Sequence, residues 1–308
     1  MAFDLPYTKI CQCSESKLSC LDAKSWVKAQ VGVWRVAYEK DDIRDKTVHP
    51  ATFPIQLARR VIELFTHEGE LVLDPFCGIG TTLLASKQLN RNALGIDINP
   101  KYIECAHKRI AQYLSLSSTK QIAICDDAIN VDKYIKGQKV KLIWTSPPYM
   151  TLLNKVRENK SRKNRKNYQY RQIEQYSDLS NDLGNQEDEL YYSSIRSIFE
   201  KVKAVLRPDG HCVINVGDFY RENKLVLLHE GIIRTMSSIG YRLENVIIWD
   251  KTNLVNGTGI FGYPKRYMTM YVTYEYLLHF VRTAQPFAVE LPASSQDGYG
   301  LPGPAPQA

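Results

Sequence analysis

Short apolar runs that end in an acid, a glycine turn or a hydroxyl, each followed by a polar or helical segment, constrain the fold of this chain more than any other feature. Leu71-Val72-Leu73 runs into Asp74-Pro75-Phe76-Cys77-Gly78-Ile79-Gly80, and Thr81-Thr82-Leu83-Leu84-Ala85 opens a helix. Ala93-Leu94-Gly95-Ile96 ends at Asp97 and precedes a helix from Tyr102 to Leu114. Gln121 to Cys125 ends at Asp126-Asp127, and the run Val140, Leu142, Ile143, Trp144 ends at Ser146. Buried strands alternating with helices predict an α/β fold with a doubly wound, mostly parallel sheet.

The flanking sequence fits that plan. Ile55, Leu57, Ala58, Val61, Ile62, Leu64 and Phe65 carry helical spacing after Pro54. Downstream, Ile195, Ile198, Phe199, Val202, Val205 and Leu206 form one helical stripe, which Pro208-Asp209-Gly210 turns into a strand from His211 to Val216. A helix from Leu225 to Ile239 and strands from Val246 to Trp249 and Tyr276 to Val281 complete the set. Residues 1–48 show no clear period; Trp26, Val31, Val33, Trp34 and Val36 suggest short strands or an extended packing segment. The expected organisation is an N-terminal extension (1–44), one domain (45–282) with a polar insertion (150–189), and a disordered Pro/Gly/Ser/Ala-rich tail (283–308).

In open α/β sheets, ligands bind beyond the carboxyl ends of the strands. Gly78 and Gly80 allow close backbone approach, and the helix that follows presents free N–H groups. Asp97 lies 17 residues past Gly80, near the ~20-residue offset at which a carboxylate meets ribose hydroxyls. Asp127 is placed to accept from an adenine amino group, and at least one of Asp126 and Asp127 reads as merely solvated. The nicotinamide-dinucleotide fingerprint is incomplete, because Leu83 occupies its third glycine position. In Thr145-Ser146-Pro147-Pro148-Tyr149, two prolines force a stiff exit from the sheet. The Ser146 hydroxyl and Pro147 carbonyl can accept hydrogen bonds there, beside the flat ring of Tyr149. Such a site suits a planar group bearing an NH2.

Charge is localised. Of a net +7, the segment from Lys155 to Arg171 contributes all: Lys155, Arg157, Lys160, Arg162, Lys163, Arg165, Lys166 and Arg171 stand against Glu158 alone. Following the proline turn directly, this segment predicts contact with nucleic-acid phosphates. Tyr168, Tyr170 and Tyr176 could stack on bases, and the polar stretch from Lys251 to Met270, with Lys265 and Arg266, is a second candidate contact region. No apolar run reaches the ~20 residues of a membrane span, no secretory signal is visible, and seven scattered cysteines fit reduced thiols in a cytoplasm. Cys11, Cys13 and Cys20 cluster, but no nearby fourth ligand has zinc spacing. They read as incidental thiols, and no metal is expected.

The ordered set resembles the DNA amino-methyltransferases. Leu73-Asp74-Pro75-Phe76-Cys77-Gly78-Ile79-Gly80-Thr81-Thr82 is similar to their S-adenosylmethionine loop, and Thr145-Ser146-Pro147-Pro148-Tyr149 to their catalytic motif in its cytosine-N4 form. His49-Pro50-Ala51-Thr52-Phe53-Pro54 is similar to the segment preceding the loop, Val213–Asp218 to an inner strand, and Tyr274–Phe280 to the closing strand. The resemblance covers about residues 45–282 and implies a Rossmann-like methyltransferase fold. It implies S-adenosylmethionine held by His49, Thr52, Phe53, the Asp74–Thr82 loop, Asp97, Ile98, Asp127 and Ala128. Ser146, Pro147, Pro148 and Tyr149 would be catalytic, and duplex DNA the partner, with the target base flipped out. A cytoplasmic, nucleoid-associated prokaryotic setting follows, with a cognate restriction endonuclease or a solitary modification role by analogy.

The order of the halves is permuted relative to many Ser-Pro-Pro-Tyr enzymes, because the cofactor half comes first here. Adenine-N6 enzymes more often carry Asp-Pro-Pro-Tyr and remain an alternative. So does an RNA amino-methyltransferase of the tRNA guanine-N2 type, since Asp-Pro-Phe-Cys-Gly occurs there too. A non-enzymatic nucleic-acid-binding regulator is the third, disfavoured by the intact loop and Ser146.

Overall fold

A computed structural model describes residues 5–14, 16–45, 49, 52–113, 118–150, 182–221, 224–252 and 272–283. Its secondary structure runs α1 (Ala23–Ala29), β1 (Val33–Arg35), α2 (Lys40–Asp45), α3 (Ile55–Phe65), β2 (Leu71–Asp74), α4 (Thr81–Gln88), β3 (Asn92–Asp97), α5 (Pro100–Gln112), β4 (Gln121–Cys125), α6 (Val131–Tyr134) and β5 (Val140–Thr145). It continues with α7 (Asp188–Val205), β6 (Leu206–Val216), β7 (Phe219–Arg221), β8 (Lys224–Val226), α8 (Leu228–Ser238), β9 (Tyr241–Asp250) and β10 (Tyr274–Arg282).

The main sheet has eight strands in the order β1-β9-β10-β6-β5-β2-β3-β4. Only β10 runs antiparallel to its neighbours, β6 and β9; the other pairs are parallel. This is the expected Rossmann-like methyltransferase arrangement, a mostly parallel sheet covered on both faces. Alternation along each strand divides the core in two. Leu71, Leu73, Ile143, Cys212 and Ile214 face α7 and α8. Val72, Leu142, Trp144 and Val213 face α3, α4 and α5. Every residue of β2 and β5 is buried, Lys141 included; its Nζ reaches the Asp209 carboxylate and carbonyl, both at 2.8 Å. Among the described residues, no helix is long and apolar enough to cross a membrane.

The strand order reverses between the parallel neighbours β2 and β5. From β2 the order steps outward through β3 and β4; from β5 it steps the other way through β6. The carboxyl ends of these two central strands, Asp74 and Thr145, therefore border the crevice at the topological switch point.

The N-terminal region departs from the reading as short strands or extended chain. Trp26 lies on a helix, α1, because Asp22 caps it by accepting from Ser25 N at 2.8 Å. Only β1 is extended: it pairs in parallel with β9, Trp34 opposite Trp249, so this region supplies an edge strand of the main sheet. Trp34 is buried, with the Arg60 guanidinium 4.2 Å above its ring. Pro208-Asp209-Gly210 does not precede β6 but forms a bulge within it, since Val140 pairs with Leu206 and Leu142 with His211. The helix read from Leu225 starts later, at Leu228, because Leu225 and Val226 pair with Tyr220 and Phe219 in a hairpin.

The reading of Cys11, Cys13 and Cys20 as incidental thiols also changes. It rested on the lack of a nearby fourth ligand, and the fold brings His67 onto all three. Residues 151–181 lie outside the described residues, and with them Lys155, Arg157, Lys160, Arg162, Lys163, Arg165, Lys166 and Arg171, as well as the three insertion tyrosines. Lys265, Arg266 and the tail from 284 onward do so too.

Gly95 on β3 shows how tightly the central layer is built. A Cβ there would sit 2.5 Å from Leu83 Cδ1 and 2.7 Å from Cys77 Cβ, both of which are buried. Gly95→Ala is therefore expected to destabilise the protein by about 1–3 kcal/mol through overpacking, read as a lower urea midpoint at unchanged slope.

Candidate active site

The loop from Asp74 to Gly80 leaves β2 and is tied to its own strand end and to β3. Cys77 N donates to Ile96 O at 2.9 Å, Gly78 N to Asp97 Oδ2 at 2.8 Å, and Gly80 N to Cys77 O at 2.8 Å. Gly78 (φ +49°) and Gly80 (φ +76°) both occupy the left-handed region. At Gly80 a Cβ would meet Ala106 Cβ at 2.8 Å, so α5 packs directly on the bare backbone. At Gly78 it would stand 3.2 Å from His49 Nε2. The His49 ring packs edge-on against Tyr102 at 4.4 Å, and burial lowers its pKa to about 4, so it is neutral at ordinary pH.

Asp74 joins this loop to the proline turn. Its carboxylate accepts from Phe76 N (3.1 Å), from Thr82 Oγ1 on α4 (2.5 Å) and from Thr145 Oγ1 at the end of β5 (2.6 Å). Desolvation pushes its pKa up to about 6 despite these three donors. Pro75 continues the chain out of the strand, and Phe76 packs against the α7 side of the core, 6.4 Å from Phe199. The Cys77 thiol is buried and its pKa is pushed well up, chiefly by desolvation. It is therefore not a nucleophile. Thr81 and Thr82 are buried in the first turn of α4, and Arg109 Nη1 bridges Ile79 O (2.6 Å) and Thr81 Oγ1 (3.1 Å).

At the end of β3, Asp97 accepts from Gly78 N and, through Oδ1, from Asn99 N at 2.9 Å. Desolvation raises its pKa to about 7. Ile98 follows, its carbonyl receiving the Cys125 thiol at 3.7 Å. At the end of β4, Asp127 Oδ1 caps the 3-10 turn Ala128–Asn130 by accepting from Ile129 N at 3.0 Å, and Ala128 is buried behind it. Asp126, one of the pair of which at least one reads as merely solvated, is hydrogen-bonded within the turn. It accepts from Asn130 Nδ2 (2.9 Å), Tyr134 OH (2.5 Å) and Asp127 N (2.8 Å), so it braces the turn.

The fit of an adenosyl cofactor rests on three observations. Gly78 and Gly80 carry the loop through left-handed turns along a path closed to residues with a side chain. Thr52 Oγ1 is buried with no hydrogen-bond partner among the described residues, beside Phe53, whose ring packs edge-on against Trp144 at 5.1 Å. Carboxylates at the ends of β3 and β4 supply acceptors for hydroxyl and amino groups. His49 stands beside Gly78 of the loop, and Phe53 packs on Trp144 of β5.

Ser146, Pro147, Pro148 and Tyr149 leave β5 at its carboxyl end with no cis peptide among the described residues. Three side chains to which sequence reasoning gave no role at this turn, Asn215, Glu275 and Lys251, surround them. Asn215 on β6 donates through Nδ2 to Glu275 Oε2 on β10 at 2.6 Å, and lies 3.5 Å from Ser146 Oγ and 3.4 Å from Tyr149 OH. Tyr149 OH donates to Glu275 Oε2 at 3.3 Å, and Lys251 Nζ pairs with Glu275 Oε1. The Tyr149 hydroxyl is thereby anchored, which fixes the plane of its ring, and Glu275 is charge-compensated. Asn215 and Glu275 were named within matching strands, but nothing local marked their side chains as meeting 60 residues apart.

The chain belongs to the DNA methylase family of N6/N4 methyltransferases, whose model matches residues 6–108 and 140–299. It is 38% identical over 98 residues to the type II methyltransferase M.BglI of Bacillus subtilis, covering 32% of this chain and 26% of that protein. It is 41% identical over 78 residues to the type II methyltransferase M.HpaI of Haemophilus parainfluenzae, covering 25% of each. The chain thus spans about a quarter of the length of the curated relatives it matches. Among solved structures it is similar to a TehB-like SAM-dependent methyltransferase from Corynebacterium glutamicum, with a TM-score of 0.43 and 15% identity over 78% of this chain and 95% of that one.

Were Asp97 the ribose ligand that its place after β3 suggests, its raised pKa would make cofactor binding pH-dependent. Without ligand, the fold favours the protonated carboxyl, a stabilising contribution lost as pH rises through about 7. Ribose hydroxyls donate to the ionised form, so binding favours loss of that proton. The Kd for S-adenosylmethionine should therefore fall as pH rises through about 7 and level off above it, by up to about tenfold per pH unit on the acid side. Calorimetry across pH should give a flat, weaker profile for Asp97→Asn.

Proposed function

We propose that this protein transfers a methyl group from S-adenosylmethionine to the exocyclic N4 amine of cytosine in a specific duplex DNA sequence. The observation that carries the reading is the Asp74 carboxylate, which binds the glycine loop and α4 on one side and Thr145, next to Ser146, on the other. Methyl donor and target amine would then be aligned by one buried group. Membership in the DNA methylase family supports amino methylation of DNA, and Ser146 at the head of the proline turn supports cytosine.

Bound S-adenosylmethionine supplies an electrophilic methyl on a sulfonium, and displacement at that carbon requires alignment above all. The loop and Asp97 would hold the adenosyl portion. The Ser146 hydroxyl and Pro147 carbonyl would accept the two amine hydrogens and favour a pyramidal nitrogen whose lone pair points at the methyl. Pro148 stiffens the turn. Tyr149, anchored by Glu275 and Asn215, would stack on the base, which must leave the duplex to reach this depth. Phosphate contacts fall to the basic segment around Lys163, and pairing with a restriction endonuclease is supported only by the type II names of the two relatives.

Incubation of the protein with labelled S-adenosylmethionine and duplex DNA, followed by nucleoside analysis, should yield N4-methylcytosine. Recovery of N6-methyladenine alone would move the reading to the adenine branch of the same family, and labelling of tRNA in preference to DNA would remove DNA as substrate. Ser146→Ala and Tyr149→Ala should each lower kcat on the order of 10²-fold with little change in cofactor Kd, whereas Asp97→Ala should chiefly weaken cofactor binding.

Neutralising Lys163, Arg165 and Lys166 together should weaken DNA binding and reduce the slope of log K against log salt by up to about three. An unchanged slope in a titration of binding against salt would exclude these residues from the phosphate contacts.

A further inference from the structure

We propose that Cys11, Cys13, Cys20 and His67 bind one Zn²⁺ in a closed tetrahedral site that fastens the N-terminal arm to the sheet. Their four ligand atoms all lie within 4.8 Å of one another. His67 Nδ1 stands 3.4 Å from Cys11 Sγ and 3.5 Å from Cys20 Sγ. With Zn–S of about 2.3 Å and Zn–N of about 2.0–2.1 Å, tetrahedral angles require S···N edges of roughly 3.5 Å and S···S edges of roughly 3.8 Å. The two Sγ···Nδ1 separations match such edges, and the remaining pairs lie within 4.8 Å. An iron–sulfur cluster, which places inorganic sulfide between its ligands, would hold them farther apart.

The surroundings are those of a built site. His67 is buried, and its Nε2 lies 2.9 Å from Lys17 O. Donation to that carbonyl places the proton on Nε2 and leaves the Nδ1 lone pair facing the sulfurs, the arrangement by which an outer partner orients a ligating imidazole. Glu68 N donates to Cys20 Sγ at 3.4 Å, a contact that strengthens with a thiolate. Lys9 Nζ, bonded to Cys13 O at 2.6 Å, brings a positive charge to a cluster whose three thiolates exceed the charge of the ion by one.

The backbone is shaped to bring the two ligand segments together. Ile10 N donates to Glu68 O at 2.8 Å. Gly69 has φ +85°, and a Cβ there would stand 2.5 Å from Thr8 O. Glycine is therefore required for the 8–11 segment to cross the turn that carries His67.

Three sulfurs and one imidazole, all from the protein, select zinc over harder cations and leave no open position for substrate. His67 precedes β2, whereas Asp74 ends it. The site thus sits at the amino end of the strand whose carboxyl end carries the cofactor loop, so its role is structural. On binding, three Zn–S bonds and one Zn–N bond form, and the three thiol protons pass to solvent.

Full-length protein purified under reducing conditions from zinc-supplemented cells should contain about one zinc per chain by elemental analysis. Co²⁺ replacement should give thiolate-to-cobalt charge-transfer bands and the d–d bands of a tetrahedral centre. Cys13→Ser and Cys20→Ser should lose the metal and lower Tm, whereas Cys105→Ser and Cys125→Ser should keep it. Metal-free wild-type protein that binds neither added Zn²⁺ nor Co²⁺ would overturn the proposal. Zinc retained by both cluster variants, or a cobalt spectrum without thiolate bands, would do the same. Should the cluster variants fail to fold, the stoichiometry and cobalt spectrum of the wild type decide alone.

Discussion

The carboxylate of Asp74 is the point on which the site depends. It ends the central strand β2, and its three donors come from the loop it begins, the helix that loop feeds, and the neighbouring strand β5. A buried carboxylate is costly unless its oxygens are satisfied. Here satisfaction requires that the glycine loop, α4 and the end of β5 be in register at once. The same requirement explains why Thr82 and Thr145 are hydroxyl-bearing at fully buried positions. Replacing either leaves part of the carboxylate without a donor.

The two faces of the sheet share the remaining work. One layer, built on α7 and α8, fills the space behind Phe76 and the 3-10 turn at Ala128. The other, with α3, α4 and α5, holds the loop against β3 so closely that Gly95 and Gly80 have no room for a methyl group. Rigid packing on this side, with the Gly78 and Gly80 amides bonded to Asp97 and Cys77, fixes the path of the loop. Polar chemistry gathers at the carboxyl ends of the strands, while the Cys11–Cys13–Cys20–His67 group lies at the amino end of β2. Mechanical anchoring and chemistry are therefore separated by the length of one strand.

Much of this was legible in the amino-acid sequence where the determinants are local. The apolar runs of β2 and β5, the glycines of the loop and the acids that end β3 and β4 all act within a few residues of themselves. The exit of the chain at Ser146-Pro147-Pro148-Tyr149 follows from proline stereochemistry alone. Features that depend on distant partners were not legible. Glu275 meets Tyr149 across 126 residues, and His67 meets Cys20 across 47. No spacing rule reaches that far. Helix α1 lay between these cases: Asp22 three residues before Ser25 is a capping signal, but the tryptophan and valines around it read as extended chain. The bulge at Pro208–Gly210 was concealed because a turn and a bulge use the same residues.

The Glu275 pairing couples two parts of the fold. Strand β9 ends at Asp250 and β10 starts at Tyr274, and the intervening connection is clasped at its base by Lys251 N to Thr273 O at 2.8 Å and by the Lys251–Glu275 ion pair. Glu275 is also the anchor of Tyr149. Both ends of the connection are thereby held beside the Ser146–Tyr149 turn. Substitution of Lys251 or Glu275 would therefore disturb the Tyr149 ring and the base of the connection together.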